Sequence, residues 1–221
     1  MSVVSRGERS RVRATAVLLL ALPGCFLFRN DEGDRCQEGR IVVLETQDDV
    51  AHIAGCRAVT GLVVRSGATL DLQPLRELEE IKGDFVVGPT VGIEEVALNR
   101  VRTIEGAVRV SKNPSLRGLF LPRLEEAGRV FVEDNVSLTT IALPRITAIH
   151  GAMIISDNHS LELIAAGELA TVGHELVVID HPKLTLVEMS KLTTAEAVRI
   201  ERDPKLAPEM VAEIREKGSV P

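Results

Sequence analysis

A nine-residue phrase returns along this chain: VRVSKNPSL from Val108, VFVEDNVSL from Val130, MIISDNHSL from Met153, LVVIDHPKL from Leu176 and VRIERDPKL from Val198. The residues that close successive phrases recur at steps of 23, 22, 23, 23 and 22: Ile93, Leu116, Leu138, Leu161, Leu184 and Leu206. A sequence keeps one period along its length only when each unit occupies an equivalent place in a stack. The period therefore predicts a solenoid.

Each repeat contains three short alternating segments separated by Asn, Asp, Pro or Gly. Alternation with a period of two indicates strands, and no long segment with a period of 3.6 residues lies between the corners. Coils of 22–23 residues would pair side by side at about 4.8 Å, as parallel strands do. We therefore predict an all-β parallel β-helix with three sheets over residues 36–206. The inward positions of one coil are predicted to be Val108, Val110, Leu116, Leu119, Leu121, Leu124 and Ala127.

Polar residues recur at one corner of the predicted coil, and glycines recur at another. Asn and Asp tolerate left-handed backbone and bond to their own chain, so the polar column is predicted to be structural. The glycines are suited to tight corners and lack the spacing of a phosphate-binding loop. The polar column comprises Thr90, Asn113, Asn135, Asn158, His181 and Asp203, and the glycines are Gly83, Gly106, Gly128 and Gly151.

The amino terminus has the pattern of a signal peptide. Four arginines between Arg6 and Arg13 precede an apolar run from Ala14 to Leu22. A helix of that length spans about 14 Å, less than half of a hydrocarbon core, so the pattern favours a removed leader over an anchor. Residues 22–25, LPGC, resemble a bacterial lipobox, with Pro23 where such sequences usually have Ala, Ser or Thr. The resemblance implies a lipoprotein signal peptide over residues 1–24, a lipid on Cys25 and a tether over residues 25–35.

The chain has three cysteines, an odd number for an exported protein. If Cys25 carries lipid, Cys36 and Cys56 remain to form one disulfide in an oxidising compartment. The alternative is cleavage elsewhere, with Cys25 free or paired between molecules.

One family resemblance covers residues 36–206. Cys36 is followed by GRIVVL, Cys56 ends DDVAHIAGC, and VTGLVV and the later repeats come next. This order is similar to the receptor L domain of the epidermal growth factor and insulin receptors. The resemblance implies a right-handed β-helix that binds a partner without catalysis. With both a lipobox-like sequence and such a domain, the chain resembles the L-domain-like lipoproteins of bacteria. The chain has no Cys-rich module or kinase segment, so hormone-type signalling is not implied.

The composition is acidic, with 26 Lys+Arg, 32 Asp+Glu and a formal net charge of −6. Such a charge disfavours nucleic acid as a partner. In the predicted terminal segment, residues 207–221, Pro208 stands at a first-turn position and Met210, Val211 and Ile214 follow at helical spacing. We predict a short helix that caps the open end of the solenoid.

The first strand of each coil places an apolar row on its outward side. Contiguous apolar side chains on a solvent face usually indicate a partner, although β propensity or a covering loop would also explain them. The candidate binding face consists of Val86, Arg109, Phe131, Ile154, Val177 and Ile179, with Phe131, Ile154 and Val177 predicted to be exposed neighbours.

A second outward row precedes the third strand: Glu77, Arg100, Arg123, Arg145, Glu168 and Lys191. Arg100, Arg123 and Arg145 are candidate anion ligands, because arginine can bind a carboxylate or phosphate through two hydrogen bonds. The alternative, which we favour, is that they form surface ion pairs, with Glu125 and Glu126 as counterions.

Catalytic motifs are not found: the chain lacks a nucleophile elbow, an HExxH pair and a CxxC, and it has no Trp or Tyr to bind sugar rings. His150 and His174 fall at one corner of adjacent coils, where solvent-facing histidines are favoured over a metal site. No metal or other cofactor is predicted.

The sequence predicts a lipid-anchored, extracytoplasmic module that recognises a protein or glycan. Phe26, not Asp, follows Cys25, so the sorting rule for such lipoproteins predicts the outer membrane. The alternatives are a structural envelope spacer and a polysaccharide-active β-helix enzyme. The ligand and the oligomeric state stay open.

Overall fold

The computed structural model describes Cys36 and residues 39–218. The predicted signal peptide, Cys25 and the tether lie outside these residues, as do residues 219–221.

Strands account for most of the regular structure among the described residues. In chain order, the elements are β1 (Ile41–Leu44), α1 (Gln47–His52), β2 (Ala58–Val59), β3 (Gly61–Val64), a 3-10 helix (Gln73–Leu75), β4 (Glu80–Ile81), β5 (Phe85–Val87), β6 (Glu95–Ala97), β7 (Thr103–Ser111), β8 (Gly118–Phe120), β9 (Glu126–Glu133), β10 (Thr140–Ala142), β11 (Ala148–Ile149), β12 (Met153–Ser156), β13 (Leu163–Ala165), β14 (Thr171–Val172), β15 (Glu175–Ile179), β16 (Leu186–Glu188), β17 (Ala197–Glu201) and α2 (Pro208–Gly218).

The strands form parallel sheets in a β-solenoid of about seven turns, which confirms the predicted fold class. The long sheet has the main order β1-β3-β5-β7-β9-β12-β15-β17, and the short sheet has the order β16-β13-β10-β8-β6. Neighbours in each order are one coil apart in sequence and pair in parallel.

The predicted third sheet is not separate. Its strands β2, β4, β11 and β14 join the long sheet, which has twelve strands in all. The long strands β7 and β9 run through the corner between two sides of the coil. They pair with each other before and after that corner, with a register shift between Ile104 and Ala107. The prediction of three sheets is therefore wrong for this part of the stack.

The core fills the interior of every coil. All seven inward positions predicted for the coil beginning at Val108 are buried. Alternate residues of a strand point to opposite faces, so each coil contributes a short apolar ladder that stacks on the equivalent residues of its neighbours. Each coil leaves its upper and lower apolar surfaces open, and only stacking covers them.

The recurring glycines allow neighbouring coils to approach closely. A Cβ atom on Gly106 would lie 2.5 Å from the carbonyl carbon of Gly83, and one on Gly128 would lie 2.3 Å from the carbonyl oxygen of Glu105. Neither glycine has a positive φ, so the requirement at this corner is space for the adjacent backbone.

The N-terminal end contains a helix that the all-β prediction missed. Helix α1 begins with a capping box in which Thr46 and Asp49 bond to each other's backbone, and it buries Val50. The hydrogen bond from the Thr46 hydroxyl lowers the pKa of Asp49 below its ordinary value. After the helix, Cys56 forms a disulfide with Cys36, with the Cα atoms 5.4 Å apart, which confirms the predicted pairing.

The C-terminal end is covered by α2, as predicted. Ile214 is buried in the core, and Met210 and Val211 pack against it. The Arg215 side chain donates a hydrogen bond to the carbonyl oxygen of Ile200, 2.7 Å away. Within the described part of the chain, no helix is both long enough and apolar enough to cross a membrane.

Candidate functional site

The outward residues of the long sheet form one continuous row across eight strands. Strand pairing places each member opposite the next, in the order Val43, Val63, Val86, Arg109, Phe131, Ile154, Val177 and Arg199. We call this set the outer row. Side chains directly opposite each other on neighbouring strands lie within contact range, so the row forms a surface and not scattered single residues.

The N-terminal end of the outer row was not predicted. Val43 is 41% exposed, and Ile41, on the same face of β1, is 63% exposed. Both lie outside the nine-residue phrase, but the alternation of Ile41 and Val43 with inward Val42 and Leu44 could have revealed them. Val63 and Val86 are half-buried and connect this end to the centre of the row.

The centre of the outer row combines an aromatic ring with a cation. The guanidinium carbon of Arg109 lies 4.6 Å from the centroid of the Phe131 ring. Arg109 is exposed, whereas Phe131 and Ile154 beside it are half-buried. Cation–π contact fixes a long side chain over the ring, which favours a pre-formed surface.

Two residues of the candidate binding face are not available to solvent. Val177 and Ile179 are only 5% and 7% exposed, so the prediction that they extend an exposed row is wrong. Both lie outside the apolar core cluster, which places them on the outer side of β15. Val177 lies opposite Arg199, and Ile179 lies opposite Glu201. The charged ends of Arg199 and Glu201 are 3.6 Å apart, and these two side chains lie beside Val177 and Ile179.

The charged row before the third strand divides into pairs at its two ends. Arg100 forms an ion pair with Glu77. Lys191 pairs with Glu168 at 2.5 Å. Arg123 and Arg145, in the middle, are exposed and form no ion pair with another described residue.

The predicted counterions of this row have other partners. Glu125 pairs with Arg102 at 2.7 Å, and Glu126 lies 3.2 Å from Nε2 of His150. The prediction that Glu125 and Glu126 neutralise the row is therefore wrong. The physical reason is that side chains one coil away, which point the same way, lie closer than the next residues along the chain.

A groove of about 370 Å³ follows the glycine corner, and both predicted corner histidines line it. His150 lies beside Glu126, and His174 lies 3.1 Å from Glu196. Among the described residues, no group of three or more His, Cys, Asp or Glu side chains is placed to hold a metal. A second groove, of about 570 Å³, lies near the N-terminal coils, between Thr69 and Asn99. Its lining includes Asp71, Glu94 and Glu95, so it is acidic.

The polar column is buried and connects the coils through its side chains. Nδ2 of Asn135 donates to the carbonyl oxygens of Val110 and Glu133 and to Oδ1 of Asn158, at 2.9, 2.9 and 3.1 Å. Oδ1 of Asn135 accepts from the backbone N–H and Nδ2 of Asn113, at 3.2 and 2.9 Å. These bonds confirm the structural role predicted for the column.

The residues with left-handed backbone conformation are not those of the polar column but those directly before them in the chain. Positive φ values occur at Lys112, Asp134, Asp157, Asp180 and Arg202. Two of these are paired, because the Arg202 guanidinium donates to both carboxylate oxygens of Asp180, at 2.5 and 2.6 Å. Those hydrogen bonds lower the pKa of Asp180 below its ordinary value.

The C-terminal end of the polar column changes its chemistry. Nδ1 of His181 lies 2.9 Å from Oδ1 of Asp203, and Nε2 lies 3.4 Å from Nδ2 of Asn158. A proton on Nδ1 of His181 would be donated to Oδ1 of Asp203. Oδ2 of Asp203 is buried without a hydrogen-bond partner among the described residues.

Cys25, the predicted lipidation site, lies outside the described residues. Comparison of the chain with protein-family models, curated proteins and solved structures found no match.

Proposed function

We propose that this protein is a binding module that recognises a partner, protein or glycan, through the outer row of the long sheet. The observation that carries the proposal is the apolar continuity of that row. Val43, Val63 and Val86 occupy three neighbouring strands, and Phe131 and Ile154 occupy two more, with Arg109 between the groups. Soluble proteins rarely leave contiguous apolar side chains on a solvent-facing surface without a partner.

The form of the surface supports recognition over catalysis. Parallel strands hold the outer row at a regular spacing, so binding would order few side chains. Arg109 supplies a charge next to an aromatic ring, and Arg and aromatic residues are enriched among the residues that dominate binding energy.

The cellular setting is part of the same proposal. The LPGC sequence and the preceding apolar run favour a lipid on Cys25 and an outer-membrane location. The order of cysteines and strands that resembles the receptor L domain supports a binding role. In this setting the solenoid would be a recognition domain attached to the membrane through its lipid, with no nucleic-acid partner.

The test uses the full chain on intact cells of the organism that encodes it. A photo-crosslinking residue at Val86 should capture a discrete partner, and Phe131→Thr with Ile154→Thr should abolish that capture. Threonine keeps β propensity while removing most of the apolar surface. The matched control is Leu163→Thr with Leu186→Thr, which removes two adjacent apolar side chains from the outer face of the short sheet.

Capture that is lost in the outer-row variant and kept in the control supports recognition by this face. Unchanged capture in the outer-row variant would overturn the proposal. Absence of any partner in all forms would favour the structural spacer. Turnover of an acidic glycan that is lost on changing Arg123 or Glu125 would favour the enzyme.

A further inference from the structure

Arg123 and Arg145 project from two turns that are nearly equivalent. Each arginine follows a proline in the same type of turn: the backbone N–H of Leu124 donates to the carbonyl of Leu121, and that of Ile146 donates to Leu143, both at 3.2 Å. The strands before and after these turns pair with the same offset of 22 residues, Phe120 with Ala142 and Glu126 with Ala148. The two side chains therefore begin one coil apart, at about 4.8 Å.

The neighbouring charges do not neutralise this pair. On one side, Glu77 is held by Arg100, and on the other, Glu168 is held by Lys191. Glu125, two residues from Arg123, is held by Arg102. Two unit charges about 4.8 Å apart in water repel each other by about 1 kcal/mol. In a chain with a net charge of −6, this leaves two adjacent cations that form no ion pair with another described residue.

We propose that Arg123 and Arg145 form a binding site for a tetrahedral oxyanion, the phosphate or sulfate group of an ester. A single such group accepts hydrogen bonds from two guanidinium groups at once, and its negative charge relieves their repulsion. The prolines at the first turn position fix the φ angle at the start of the turn from which each arginine projects, so binding would order mainly side chains. The site is separate from the outer row and does not depend on the proposed function.

The first experiment is a titration of the purified protein with inorganic phosphate, inorganic sulfate and acetate at constant ionic strength, followed by thermal unfolding. The expected result is a saturable rise in the unfolding temperature with phosphate and sulfate. The double variant Arg123→Gln, Arg145→Gln should bind at least about tenfold more weakly, because each charge-assisted hydrogen bond contributes more than a neutral one.

The matched control is Arg100→Gln with Lys191→Gln, which removes two cations of the same row that already have partners. Its phosphate affinity should fall by less than that of the Arg123→Gln, Arg145→Gln variant, because Arg100 and Lys191 are already paired with Glu77 and Glu168. Equal losses of phosphate affinity in both double variants would mean that phosphate binding depends on net charge alone, and the site would be rejected. No saturable response in the unchanged protein would also reject it.

A second measurement keeps the test independent of unfolding. The Nε–Hε resonances of Arg123 and Arg145, assigned through the single glutamine variants, should shift with phosphate in the unchanged protein. Shifts confined to other arginines would contradict the proposal.

The carrier of the oxyanion is distinguished in two further arms. Binding to dextran sulfate but not dextran would indicate a glycan ester. Stronger flotation with phosphatidylcholine vesicles that contain phosphatidic acid than with phosphatidylcholine alone would indicate a lipid headgroup, because a lipid on Cys25 would contribute equally to both. In either arm, binding that persists in the Arg123→Gln, Arg145→Gln variant would overturn the assignment.

Discussion

The polar column and the outer row reverse the usual distribution of side chains. The column places Asn113, Asn135 and Asn158 where no solvent reaches them, whereas the row places Phe131 and Ile154 on the outer side of the long sheet. Inside, the central amides bond to backbone carbonyls and to the amides of the neighbouring coils, so asparagine recurs at these three positions. Outside, the members vary from Val to Arg to Phe, because no neighbouring coil requires a particular side chain. Uniformity therefore marks the positions that hold the stack, and variation marks positions free to serve binding.

The largest effect should come from breaking the column at its centre. Asn135→Ala removes the two Nδ2 N–H donors, which contact three acceptors, and leaves the N–H groups of Asn113 without their acceptor. Each buried polar group left unsatisfied costs about 1–3 kcal/mol, so the free energy of unfolding should fall by at least about 3 kcal/mol. Urea unfolding measures the loss. Val136→Ala, at the exposed neighbouring residue, is the control and should cost less than about 0.5 kcal/mol.

The C-terminal end of the polar column should become more stable when Asp203 is replaced by the asparagine of the central coils. In the coil of Asn158, Nδ2 donates to two backbone carbonyl oxygens. The strand register places the carbonyl oxygens of Val178 and Glu201 at the equivalent positions beside Asp203, where Oδ2 stands in place of Nδ2 and cannot donate. Asp203→Asn would supply donors there and should raise the free energy of unfolding by about 1 kcal/mol. Glu188→Gln, at an exposed site, should give no gain. A loss of about 3 kcal/mol or more would instead show that the carboxylate of Asp203 is needed beside His181.

A smaller, pH-dependent effect is expected at the exposed end of the same corner. The folded-state pKa of Asp180 is lowered by Arg202, so this pair stabilises the protein above the ordinary pKa of an aspartate, and the contribution is lost as pH falls through the folded value. The unchanged protein should therefore be more stable than Asp180→Asn at pH 7, and the difference should vanish well below about pH 4. Unfolding curves across this range test the sign. A difference that grows on acidification would contradict it.

The smallest effect on stability should occur in the charged row. Arg123→Gln with Arg145→Gln removes two exposed side chains that have no ion pair among the described residues. The free energy of unfolding without added phosphate should change by less than about 0.5 kcal/mol. A large loss would place these arginines among the residues that hold the stack, and the distinction between uniform and variable positions would fail there.

The repeat sequence was sufficient to predict the stack, because inward positions such as Leu116 and Leu119 obey one steric rule in every coil. Helix α1 was missed because a single capping box, at Thr46 and Asp49, and one fully buried residue mark it, and the repeat has no counterpart. The burial of Val177 could not be predicted, because alternation along a strand shows which face a side chain occupies and not whether that face is covered.

The charges show the same limit. The sequence places Glu125 close to Arg123 along the chain, but the folded coil brings Arg102 to Glu125 from the preceding turn. Which of two nearby cations a carboxylate selects depends on side-chain geometry that a one-dimensional pattern does not contain. The pairing of surface charges is therefore one feature for which the structure changed the interpretation.

The most direct test of the account is to measure stability and partner capture on the same two variants. Phe131→Thr with Ile154→Thr should lose capture while its free energy of unfolding falls by no more than about 2 kcal/mol, since both side chains are only half-buried. Asn135→Ala should show the reverse, with a larger loss of stability and capture retained at a temperature where it stays folded. Parallel losses of stability and capture in both variants, or capture that survives the change to the outer row, would contradict the account.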